Sequence, residues 1–156
     1  MKNPIAECMN EQLIRVGFVR SGNTWRKDQP EVILVVNLQS SMYGKQYYIN
    51  LGIYVKSIGG GEKPGGASIK EVDCHIRNRA APLGKYSSEY YNYTVLNLEN
   101  TEIRDSRRLE DVRHLIIDAS LPFLEGCSSK DGIVKALRKG KLESCFVRKD
   151  VYSLLG

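Results

Sequence analysis

The chain has 156 residues, 42% of them hydrophobic, and a formal net charge of +5, a balance that suits one globular domain with a real core and excludes global disorder. No apolar run approaches the length of a membrane span, and the opening Met-Lys-Asn-Pro-Ile-Ala-Glu-Cys has no apolar leader core, so a cytoplasmic protein without a membrane partner is expected. The charge is uneven: Lys130, Lys135, Arg138, Lys139, Lys141, Arg148 and Lys149 face only Asp131, Glu143 and Asp150, while residues 1–125 are near balance. A basic end can meet nucleic acid, acidic protein or anionic lipid, or simply be a solvated helix face.

In chain order, Asn3 can cap a helix whose first residue is Pro4, where a missing N–H costs nothing. Ile5, Cys8, Met9, Leu13 and Val16 follow helical spacing, and Gly17 suits the left-handed residue that ends a helix. Phe18–Arg20 starts a short strand, Ser21-Gly22-Asn23 turns into a second over 24–27, and Gln29-Pro30 breaks it.

The stretch from Val32 to Val55 is the organising element. Val32, Leu34, Val36 and Leu38 alternate with Ile33, Val35, Asn37 and Gln39. Tyr47, Ile49, Leu51, Ile53 and Val55 alternate with Tyr48, Asn50, Gly52 and Tyr54. Period-2 alternation places each set on its own face, one apolar and one rich in amides and phenols. The polar, Gly-bearing segment 40–45 joins the two strands as an antiparallel hairpin.

Residues 57–68 carry Gly59-Gly60-Gly61 and Gly65-Gly66 without the spacing of a phosphate or dinucleotide loop, and read as a flexible surface loop. Residues 71–77 alternate again, with Val72, Cys74 and Ile76 inward and Asp73, His75 and Arg77 outward. A tyrosine-rich segment from Lys85 to Tyr93 precedes a possible strand over 94–98. Asp105 can cap a second helix with an apolar stripe of Leu109, Val112, Ile116 and Ala119, kinked or ended at Pro122. A third starts near Ser128, with Asp131 as a partial capping box, and stops at Gly140. Residues 145–147 are a last short strand or an apolar anchor. The expected fold is α+β: one antiparallel sheet of about five strands, with an N-terminal helix and C-terminal helices packed on one face.

Gly17-Phe18, Gly22-Asn23-Thr24-Trp25, Asn37-Leu38-Gln39, Tyr48-Ile49-Asn50-Leu51-Gly52-Ile53-Tyr54 and Cys74-His75-Ile76-Arg77-Asn78-Arg79 together give the chain a family likeness. It resembles the bacterial domain-of-unknown-function family DUF4304, most clearly from Gly17 to Arg79. The resemblance implies small, soluble, single-domain bacterial proteins with no established activity, and it supplies no catalytic residue.

If the strands at 32–39, 46–56 and 71–77 share a sheet, its uncovered face gathers Asn37, Gln39, Tyr48, Asn50, Tyr54, His75 and Arg77, with Arg79 at its end. Amides offer paired donors and acceptors, tyrosine a ring and a hydroxyl, arginine a planar fork for carboxylate or phosphate. The same alternation also marks any half-solvated antiparallel sheet. Cys74 and His75, as strand neighbours, point apart and make no nucleophile–base pair. The second histidine, His114, sits among arginines as a surface residue. Cys8, Cys74, Cys127 and Cys145 lack a C-x-x-C spacing, so neither a metal site nor a cofactor is expected.

The favoured function is a non-enzymatic binding module that holds a protein partner, as an immunity or adaptor protein does. One rival is a nucleic-acid-binding module using Arg77, Arg79, Lys85 and the basic end, against which stand Glu89 and the lack of a recognisable nucleic-acid motif. The other is an enzyme acting on a polar or phosphorylated small molecule through His75 and Arg77.

Overall fold

The alternating runs pair with their chain neighbours to build a single antiparallel sheet. The computed structural model describes residues 3–59, 68–80 and 88–156. Its six strands are β1 (Val19–Ser21), β2 (Thr24–Asp28), β3 (Val32–Ser40), β4 (Tyr47–Val55), β5 (Ile76–Arg79) and β6 (Phe146–Val147), hydrogen-bonded in the order β1-β2-β3-β4-β5-β6. The strand beyond the expected five is the 145–147 segment, which pairs with β5 through Ile76–Val147 and Arg77–Phe146. In the central hairpin Asn37 lies opposite Asn50 and Gln39 opposite Tyr48, while Gly52 lies between Val35 and Arg77. Most of the glycine-rich loop and the stretch 81–87, including Lys85 and Tyr86, fall outside the described residues.

The apolar face of this sheet is the floor of the main core. Trp25, Leu34, Val36, Leu38, Ile49, Leu51, Ile53, Val55 and Ile76 are buried beneath Ile5, Met9 and Leu13 of α1 (Pro4–Ile14), Val112 of α3 (Asp105–His114), Leu124 of α4 (Leu121–Gly126) and Ile133 of α5 (Lys130–Arg138). Each large aliphatic side chain so buried contributes about 1.5–3 kcal/mol. The helix start expected at Asn3 is present: its Oδ1 accepts from the Ile5 and Ala6 amides. Gly17, at φ +95°, ends the helix as its amide donates to Ile14 and the Phe18 amide to Leu13. Trp25 Nε1 donates to Asn10 Oδ1 at 3.0 Å, which fixes α1 over β2.

Four local expectations are corrected. Residues 71–73 form a tight helical turn instead of strand, and β5 begins only at Ile76; Val72 is consequently exposed rather than inward. Residues 94–98 form no strand either, only an isolated antiparallel bridge of Asn97 to Gln46. The short α2 (Ser88–Tyr90) widens into a π-helical turn at Tyr91–Val95, closed by the Leu96 amide donating to the Tyr91 carbonyl, and side chains take several carbonyls of this stretch. Gln46 Nε2 donates to Asn92 O and, more weakly, to Leu96 O. Arg108 is almost wholly buried and donates to Thr94, Val95, Asn97 and Asn100 carbonyls at 2.5–3.0 Å. Pro122 does not stop the second helix. A π-helical turn at Leu115–Ser120 leads straight into α4, with the proline in its first turn where no N–H is required. The third helix is capped by Ser129 instead of Ser128: its Oγ accepts from the Gly132 amide, whereas Ser128 Oγ donates to the Glu125 carbonyl.

Among the described residues no helix is long and apolar enough to cross a membrane. Arg108 is the clamp that holds the irregular 94–100 segment to α3. Arg108→Met keeps much of the volume but strips four carbonyls of their donor, and it should cost about 3 kcal/mol. Urea unfolding followed by circular dichroism checks this, with a midpoint lowered by about 1 M or more expected.

Candidate functional site

The face of the sheet opposite the helices is divided in two by residues 68–75, and the division starts at a glycine. Gly52 of β4 lies so close to this segment that a Cβ there would stand 2.6 Å from Cys74 Sγ and 2.9 Å from its Cβ. With no side chain at 52, Ile69 and Cys74 descend onto Ile33, Val35 and Tyr54 and form a second, smaller apolar cluster. Arg26 Nε donates to the Ile69 carbonyl at 2.5 Å and pins the start of the segment.

His75 locks the other end. Its amide donates to the Ile53 carbonyl, its carbonyl accepts from the Arg148 amide, and its Nδ1 accepts the Val55 N–H at 2.9 Å. The ring rests 4.7 Å from that of Tyr54. Because Nδ1 is an acceptor, the proton of the neutral ring sits on Nε2. Burial, assisted by the Arg148 charge and opposed by Asp150, holds its pKa below the ordinary value. The neighbouring Cys74 thiol points to the Lys70 carbonyl, and burial pushes its pKa far up. Cys74 and His75 therefore each have a different partner and form no dyad.

The other half of the face is wet. Asn37, Gln39 and Asn50 are the floor of an open groove of about 560 Å³. They form one amide ladder: Asn50 Nδ2 donates to Gln39 Oε1 at 2.9 Å and to Asn37 Oδ1 at 3.3 Å, and Asn37 Nδ2 donates to Thr24 Oγ1 at 3.0 Å. One wall is a bidentate ion pair, Arg77 Nε–Glu71 Oε1 at 2.9 Å and Nη2–Oε2 at 3.1 Å. At the end of β5 the Arg79 guanidinium lies 4.0 Å above the Tyr48 ring. No carboxylate pairs with Arg79 among the described residues. Two apolar side chains stand at the rim, Phe146 at 59% and Val72 at 64% exposure.

Of the residues expected on this face, Asn37, Gln39, Asn50, Arg77 and Arg79 line the groove, and Tyr48 supports Arg79. Tyr54 and His75 do not join them. Both are sealed, Tyr54 in the second cluster at 4% exposure and His75 against its ring at 2%, because the chain at 68–75 crosses their end of the sheet. Sequence reasoning missed Glu71, Val72 and Phe146. In a strand over 71–77 the first and last side chains would lie about 20 Å apart, so only the helical turn brings Glu71 onto Arg77. Phe146 arrives from far along the chain, and nothing local signals its contact with Arg77, 5.9 Å from the ring.

This arrangement can bind: it offers amide donors and acceptors, one guanidinium fork and two apolar contacts. Among the described residues no group of histidine, cysteine and carboxylate side chains is placed to hold a metal ion.

Fold and groove together define an α+β protein with helices over one face of an antiparallel meander and a polar recess on the other. The chain belongs to the family described as Domain of unknown function (DUF4304), whose family model matches residues 9–126. A search of curated proteins and a search of solved structures each found no match. The family match ends before α5 and β6, so Phe146 lies beyond it.

The histidine lock gives the fold a pH dependence. Unfolded, His75 titrates near its ordinary 6.5; folded, it stays neutral to lower pH. Below about 6.5 the unfolded chain binds more protons than the fold, so stability is whole above that value and falls as pH drops through the window beneath it. His75→Asn keeps an acceptor for Val55 but does not titrate. Its unfolding free energy should vary less between about pH 7 and pH 5 than that of the wild type. Parallel slopes for the two proteins would remove His75 as the cause.

Proposed function

We propose that the protein is a non-enzymatic binding module that holds a protein partner in the polar half of its open sheet face. One observation carries this reading. Phe146 and Val72 stand exposed beside Arg77 and Arg79 at the rim of a recess whose floor is amide. Exposed aromatic and arginine side chains around a concavity are the composition of interface anchors. Arg79, already oriented by Tyr48 and lacking an acidic partner among the described residues, favours a partner that presents a carboxylate. An immunity-like or adaptor-like role is one setting in which such a module would serve.

The enzyme reading through His75 and Arg77 has less support, since Arg77 lines the groove while the His75 ring is buried against Tyr54. For nucleic acid the supporting feature is the Arg79–Tyr48 stack, a base-stacking chemistry.

The test is affinity capture from lysate of the source cells in about 1 M salt, where the screening length is about 3 Å. One protein retained by the wild type should be lost with Phe146→Ala or with Arg79→Glu, each weakening binding by about tenfold or more. Val19→Ser, on the far edge of the sheet, should retain it. Equal capture by all four proteins, or binding that vanishes steeply with salt as for a nucleic acid, contradicts the proposal.

A further inference from the structure

A second concavity, of about 450 Å³, lies on the helical side of the molecule. Its walls are apolar: Ala119, Pro122 and Phe123 before and within α4, Ala136 on α5, and Leu142 beyond it. Two features of the backbone shape it. Ala119 belongs to the π-helical turn Leu115–Ser120, a widened turn of the kind frequent at functional sites. Gly132 sits so near the Gly126 carbonyl that a Cβ would stand 2.4 Å from its oxygen, so the chain doubles back tightly there. Cys127 is part of the wall, and burial raises its thiol to about 12, which leaves it a neutral side chain.

The rim is basic. Lys135 pairs with Asp131 at 2.9 Å, but no carboxylate pairs with Lys139 or Lys141 among the described residues. A recess of this volume with a mostly apolar lining and three lysines among its lining residues has the size and composition of a small-molecule site. Two amines without acidic partners beside an apolar wall call for a ligand with both a hydrocarbon body and a negative head.

We propose that this cleft binds an amphipathic organic carboxylate of medium chain length, its hydrocarbon tail between α4 and α5 and its carboxylate at Lys139 and Lys141. The site is separate from the groove on the open sheet face and uses none of its residues.

The probe is decanoate, titrated calorimetrically into the whole protein, with decanol as the neutral ligand of equal tail length. Decanoate should bind, and decanol should bind about tenfold or more weakly, since the two amines recognise only the charged head. Lys139→Gln with Lys141→Gln should reduce decanoate affinity by about tenfold and make it less sensitive to salt. Both lysines are exposed, so this variant tests the site without disturbing the core. Ala136→Trp should fill the cleft and abolish binding, with circular dichroism to verify its fold, while Phe146→Ala should bind decanoate as the wild type does. Absence of binding, equal affinity for decanol, or full affinity in the lysine double variant would each overturn the proposal.

Discussion

The approach of residues 70–75 to Gly52 is the constraint on which the rest of the open face depends. A sheet with one face under helices leaves the other to water unless the chain returns to cover it. Among the described residues it returns over half the face only. Gly52 supplies the space, Cys74 fills it, and the Val55 amide finds its acceptor on His75. The buried N–H and the buried ring nitrogen satisfy each other, so neither is left unpaired.

That seating also creates the groove. The turn that brings Cys74 down to Gly52 carries Glu71 to Arg77, and the ion pair becomes a wall beside the amide ladder. β5 is then positioned between β4 and β6, and β6 brings Phe146 to the rim. The wet half of the face is therefore a product of how the dry half is closed. Its chemistry differs from that of an ordinary solvated strand in two respects. The amides are already ordered by one another, and Arg79 is held over Tyr48, so less side-chain freedom is lost when a partner docks. The family match covers the ladder, Glu71 and both arginines but ends before Phe146 and before the lysines of the helical cleft. The part of the chain beyond residue 126 thus adds an aromatic anchor to one recess and the basic rim to the other.

The sheet was legible because its signal is local. Alternation over Val32–Val55 gave both strands, their faces and their antiparallel pairing, and put Asn37 and Asn50 on one face; the register then sets them opposite each other. Asn3, Gly17 and Gly140 marked helix ends through their own conformational preferences. What failed was alternation used where tertiary contacts override it. Residues 71–77 alternate as well as any strand, yet the need to cover Ile33, Val35 and Tyr54 winds the first three into a turn. That one error placed His75 and Tyr54 in the site, left out Glu71, and put Val72 in the core. Residues 94–98 failed for a similar reason: the Thr94, Val95 and Asn97 carbonyls are taken by Arg108, and the pairing with residues 45–47 is reduced to one bridge, Asn97 opposite Gln46. The π-helical turns have no side-chain signature, and Pro122 was read as a kink or an end because its tolerance depends on where the preceding turn widens.

The most direct test of this account is hydrogen exchange at the Val55 amide in Gly52→Ala. The added methyl would displace Cys74 and draw His75 away from β4. The account predicts that Val55 exchanges about tenfold faster or more, a loss of about 1.4 kcal/mol of local protection, while amides on the helix-covered strand β2 keep theirs. Wild-type protection at Val55 in the alanine variant would contradict it, because the open face would then be organised without the close approach at Gly52.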